Sequence, residues 1–99
     1  MTADDTDPTE DRSLDTLREE IEEIDRGIVE LIARRTYVAE AIADVKAEQG
    51  LATTDEEQEQ AVMDRAGENA ERFDVDSNLV KAIFRLLIEL NKIEQRESR

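Results

Sequence analysis

Between Leu14 and Val45 the sequence places apolar residues at alternating steps of three and four: Leu14, Leu17, Ile21, Ile24, Ile28, Leu31, then Val38, Ile42 and Val45. Such a heptad seam belongs to a long helix whose stripe faces another helix. One position of the register, 35, carries an arginine in place of an apolar side chain. Ser13 stands where an N-cap is needed, and Gly50 suits the left-handed residue just past a helix end. The seam therefore predicts one helix of about 35 residues, roughly 50 Å long. A single helix of that length cannot bury its stripe in a 99-residue monomer, so it needs a partner.

Two further helices follow. The segment Thr53-Thr54-Asp55-Glu56-Glu57 carries overlapping capping-box signals and opens a second helix running to about Ala70. Its apolar set is thin: Ala61, Val62, Met63 and Ala66. Asp76-Ser77-Asn78 caps a third helix from about Leu79 to Gln95. That helix is dense in apolar residues, with Leu79, Val80, Ile83, Phe84, Leu86, Leu87, Ile88, Leu90 and Ile93, and near-complete burial at a dimer core is expected. There is no strand pattern and no internal repeat. The expected fold class is all-α, with three helices in the order long, short, long. Residues 1–13 are acidic, hold the only proline and lack apolar periodicity, so they are expected to be a disordered tail ahead of a domain spanning 14–97.

Composition narrows the chemistry. There is no cysteine and no histidine, which removes disulfides, thiolate nucleophiles and the commonest general base and metal ligand. One Tyr, two Phe and no Trp give little platform for stacking nucleobases. No apolar run approaches the roughly 20 residues of a membrane span, and no signal peptide opens the chain. A cytoplasmic protein is expected. A formal charge of −14 argues against nucleic acid and anionic membrane as partners. High charge alone would also suit disorder, but the strong periodicity argues for a folded chain with a halophile's surface. At molar salt the Debye length is about 3 Å, and self-repulsion is screened.

Four polar residues fall where helical geometry points inward. Arg35 occupies the seam, and Lys46, 11 residues later, returns to within about 20° of the same face. On the third helix Asn91 and Gln95 extend the row of Phe84 and Ile88. Neither Arg35 nor Lys46 has an acid three or four residues away, so both are available to an external anion. Other readings stay open. A seam arginine also fixes coiled-coil register or snorkels to water. Lys46 also reads as a solvated cation near a helix end, and Asn91 with Gln95 as an ordinary polar face. Glu59 lies among many acids and is uninformative alone. Arg18 precedes Arg35 by 17 residues, about 25 Å along one helix, too far to share a small ligand. An antiparallel, two-fold related chain would bring its own Arg18 close to Arg35.

Taken together, these residues resemble the all-helical chorismate mutases, especially the mutase domain of the bacterial enzyme fused to prephenate dehydratase. The markers are LREEIEEID with Arg18, IARR ending in Arg35, Lys46, TDEEQE with Asp55 and Glu59, and IFRLLIELNKIEQ, spaced without a gap over about residues 14–95. The resemblance implies an intertwined homodimer with two equivalent sites shared between chains, and no cofactor or metal. It implies that Arg35 and the partner chain's Arg18 each bind a substrate carboxylate. Lys46 and Gln95 would hydrogen-bond the ether oxygen whose bond breaks. Glu59 and the backbone near Asp55 would hold the ring hydroxyl. Asn91 lies where the family often has serine near a carboxylate. Gln58 is a departure: the family often has arginine just before Glu59, so a cation is lost there.

The implied reaction, chorismate to prephenate, is an intramolecular rearrangement without proton transfer or nucleophile, which a chain lacking His and Cys can perform. Two alternatives remain at this level. An isochorismate pyruvate lyase on the same fold uses nearly the same cations, and a non-catalytic helical dimerisation module would treat Arg35 as a register device. The acidity carries its own expectation. Because the Debye length is about 30 Å at 0.01 M, a chain with 27 acids and 13 bases should lose helix content and activity between 3 M and 10 mM KCl. A circular-dichroism titration measures this, and full helicity with full activity at the low end would exclude the halophile reading.

Overall fold

The structure is a computed structural model that describes residues 13–52 and 56–97, with side chains described as far as residue 94. Among the described residues the only regular elements are three helices: α1 Leu14–Glu48, α2 Glu56–Arg72 and α3 Ser77–Glu97. The expected all-helical order of long, short and long is therefore found. None of the described helices is long and apolar enough to cross a membrane. The expected tail, residues 1–12, and the capping segment 53–55 lie outside the described residues.

The chain divides into two compact units, one up to Arg34 and one from Arg35 onward. The first is the N-terminal part of α1. Its start is fixed as the sequence predicts: the Thr16 N–H donates to Ser13 Oγ at 3.2 Å, and Leu17 N–H to the Ser13 carbonyl at 3.1 Å. Its seam residues Leu14, Ile21, Ile24, Ile28 and Leu31 are 50–60% exposed. An apolar stripe this long and this open is unlike the surface of a settled monomer.

The second unit holds the end of α1 together with α2 and α3. Gly50, at φ 73°, ends α1. The Leu51 N–H reaches back to the Lys46 carbonyl at 2.8 Å and the Gly50 N–H to Ala47 at 3.2 Å, the paired bonds of a Schellman motif. The same motif ends α2, two residues beyond Ala70. There the Val75 N–H meets the Ala70 carbonyl at 2.8 Å, and Asp74 takes the left-handed conformation at φ 64°.

The core is built from small residues. Ala43, Met63, Ala66 and Ala70 are the buried apolar side chains among the described residues, with Gly67 beside them. On α2 the spacing Met63, Ala66, Gly67, Ala70 forms one helical face. The apolar set read from the sequence includes Ala61 and Val62, which are only partly buried, and lacks Gly67 and Ala70, which are buried. A Cβ on Gly67 would stand 2.6 Å from Lys81 Cε, so the missing side chain lets the stem of Lys81 on α3 lie against the α2 backbone. The dense apolar surface of α3 is not consumed within one chain: Leu79, Ile83 and Leu86 remain 54–69% exposed.

α3 starts at Ser77, earlier than the periodicity suggests, because Asp76 caps it. Asp76 Oδ1 accepts the Leu79 N–H at 2.9 Å, and its carbonyl accepts Val80 N–H at 3.1 Å. Such a cap contributes about 1 kcal/mol. Asp76→Ala should therefore lower the melting temperature by about 4–8 °C, while Asp76→Asn should retain most of the stability, as followed by thermal circular dichroism.

Candidate active site

Arg35 is the first residue of the second unit and points at α3, not into an apolar seam. Its Nη1 donates to Asn91 Oδ1 at 2.7 Å, and its guanidinium carbon lies 5.6 Å from the centroid of the Phe84 ring. Asn91 in turn donates from Nδ2 to Thr36 Oγ1 at 3.3 Å. The amide thus spans two consecutive residues of α1, and its carbonyl is held toward the guanidinium. The face of Phe84 is an attractive surface for a cation. Asn91 and Phe84 are seven apart on α3, two turns along one face, which is why a single helix supplies both contacts.

The electrostatics favour an anion. The pKa of Arg35 lies below its ordinary value, foremost because burial penalises the charged form and then because Arg65 stands nearby. No carboxylate pairs with Arg35 among the described residues. Guanidinium stays charged at neutral pH and has five donors, so a partly buried arginine held by a neutral amide retains N–H groups for a bidentate carboxylate.

Glu59 lies on α2, partly buried, with Oε2 3.1 Å from Lys92 Nζ on α3. It borders an open groove of about 380 Å3 between α2 and α3, to which Met63, Arg85 and Ile88 also contribute. Lys46 is in the last turn of α1, where its carbonyl takes part in the closing motif, so the backbone that carries its side chain is pinned. That side chain is partly buried and forms no ion pair among the described residues. Gln58 is exposed in the first turns of α2. Arg18 belongs to the first unit and is exposed on α1. Asp55 lies outside the described residues, and so does the side chain of Gln95, whose backbone continues α3.

The chain therefore brings Arg35 and Asn91 into direct contact and ties Glu59 to the residue that follows Asn91. Thr36, Phe84 and Lys92 take part in ways the sequence reading did not assign. Phe84 was legible as a member of the Asn91 row, but not as a support for the guanidinium. Glu89, three residues before Lys92 on α3, stands farther off, at 3.9 Å.

The chain was compared with known proteins. The family model described as chorismate mutase type II matches residues 17–96. A curated relative, the chorismate mutase of Methanocaldococcus jannaschii, is 37% identical over 81 residues, which cover 82% of this chain and 82% of the relative. The matched span includes Arg18, the Arg35–Asn91 contact and the Glu59–Lys92 pair, and with most of its length covered the chain belongs to the chorismate mutase type II family.

Proposed function

We propose that the protein is a chorismate mutase, converting chorismate to prephenate in phenylalanine and tyrosine biosynthesis, with residues 14–97 as its mutase domain. The observation that carries the reading is the Arg35 guanidinium, carried at a seam position of α1 but aimed at α3 by Asn91 at 2.7 Å and unpaired with any carboxylate among the described residues. A register device needs no such aim. Chorismate is a dianion, and its rearrangement breaks one C–O bond as it forms one C–C bond. The protein has only to hold the reactive conformer and stabilise charge on the departing ether oxygen.

In this reading Arg35 receives one carboxylate, with Asn91 beside it. Lys46 and Gln95 donate to the ether oxygen. Glu59 and the backbone near Asp55 hold the ring hydroxyl, with Gln58 at the margin. The second carboxylate goes to Arg18 of a partner chain, as the resemblance to the family implies. An intertwined homodimer would also cover the exposed seam of α1 and the open face of α3, which supports that assembly. A cytoplasmic location at molar salt suits the acidic surface.

The direct test follows loss of chorismate and appearance of prephenate in molar KCl, with isochorismate as the competing substrate. Lys46→Ala tests the chemistry. The ether oxygen gains charge only as its bond breaks, so kcat should fall about a hundredfold, the effect of losing one such donor, with little change in KM. A rise in KM alone would remove Lys46 from the ether oxygen.

Shared sites make a separate prediction. Arg18→Ala and Arg35→Ala homodimers should each be nearly inactive. Refolded together in equal amounts, about half the dimers are mixed, and each mixed dimer carries one intact site, so activity should return to about one quarter of wild type. Inactivity despite mixed dimers, verified by mass, would show that each site draws on one chain.

A further inference from the structure

We propose that Lys92 is a positioning residue of this site, whose ammonium holds the Glu59 carboxylate against α3 and so sets where that carboxylate meets substrate; the proposal rests on the mutase reading above. The pair joins two helices, with Nζ–Oε2 3.1 Å and side chains 30% and 32% exposed. Lys92 has an acid on its own helix at i−3, the ordinary partner of an exposed helical lysine. That acid, Glu89, is 58% exposed and stands at 3.9 Å, so the ammonium favours the cross-helix partner.

Glu59 needs such a partner. Residues 56–60 read Glu, Glu, Gln, Glu, Gln, so the opening of α2 supplies acids and no cation. Glu56 and Glu89 border the same groove, and their charge pushes an unheld carboxylate away from it. Arg85 also lines that groove but forms no ion pair with Glu59 among the described residues. With Oε2 on Lys92, Oε1 is left as an acceptor for a substrate hydroxyl. Consecutive residues of α3 then do complementary work: Asn91 aims the cation, and Lys92 aims the carboxylate. A hydroxyl is held equally in the ground state and the transition state, so the loss should appear in KM.

Steady-state kinetics on single and double variants at fixed KCl test this. Lys92→Met should raise KM for chorismate about fivefold and leave kcat within about twofold, the scale of a half-exposed ion pair. Lys92→Arg should restore most of the affinity, and in a Glu59→Gln background Lys92→Met should add nothing. Equal losses in both backgrounds would mean that Lys92 acts on substrate directly, and an unchanged KM would mean that the pair does nothing there; either overturns the proposal. A second arm is independent of turnover. The protein has three lysines, so in 15N-lysine-labelled protein Glu59→Gln should shift the Lys92 ζ resonance and leave those of Lys46 and Lys81. An unmoved Lys92 resonance overturns the pairing itself. A wild type that shows the pairing but does not convert chorismate overturns the mutase reading, and the positioning role with it.

Discussion

A partly buried arginine with an amide and an aromatic ring for company, and no acid among the described residues, is the constraint from which the other features of the candidate site follow. Removing guanidinium from water is costly, and a carboxylate from its own helix would repay that cost most directly. This chain has 27 acids to choose from and pairs none of them with Arg35 among the described residues. Instead the side chain is held by a neutral acceptor at 2.7 Å and a ring face at 5.6 Å, interactions that orient the cation without neutralising it. Arg65 adds positive potential nearby. A fixed cation whose field is not cancelled is what binding and catalysis by electrostatics require, because its donors need no reorganisation when the anion arrives.

The local architecture serves that end. Helix ends are closed by backbone motifs at Gly50 and Asp74, so the residues just inside them, Lys46 among these, sit on pinned backbone. α2 and α3 approach closely because α2 presents alanine and glycine to its neighbours, and Gly67 admits the stem of Lys81. That close approach is also what lets Lys92 reach Glu59 across the two helices. Among the described residues a core of four small or flexible apolar side chains is thin, while many large apolar residues of α1 and α3 are exposed. The proposed homodimer would give those side chains somewhere to go.

Much of this was legible in the residues. The heptad steps, Ser13 and Gly50 determined α1, and Asp76 determined the start of α3, because periodicity and capping act over a few neighbouring residues. The break of the seam at Arg35 and the inward row through Phe84 and Asn91 could also be read, since one helix fixes which of its own residues share a face. The sequence alone could not say whether Arg35 snorkels, sets register or waits for an anion. That choice depends on what stands across the helix interface, and only the tertiary structure supplied Asn91 and Phe84 as its companions, with Thr36 behind Asn91. Lys92 shows the same limit. By sequence the acid on its own helix face is Glu89, three residues earlier on α3, yet packing of α2 on α3 gives it Glu59, 33 residues earlier in the chain and nearer in space. Local rules chose the helices; contacts between residues far apart in the chain chose the partners of each charge, because an ion pair depends on distance in space and not on position in sequence.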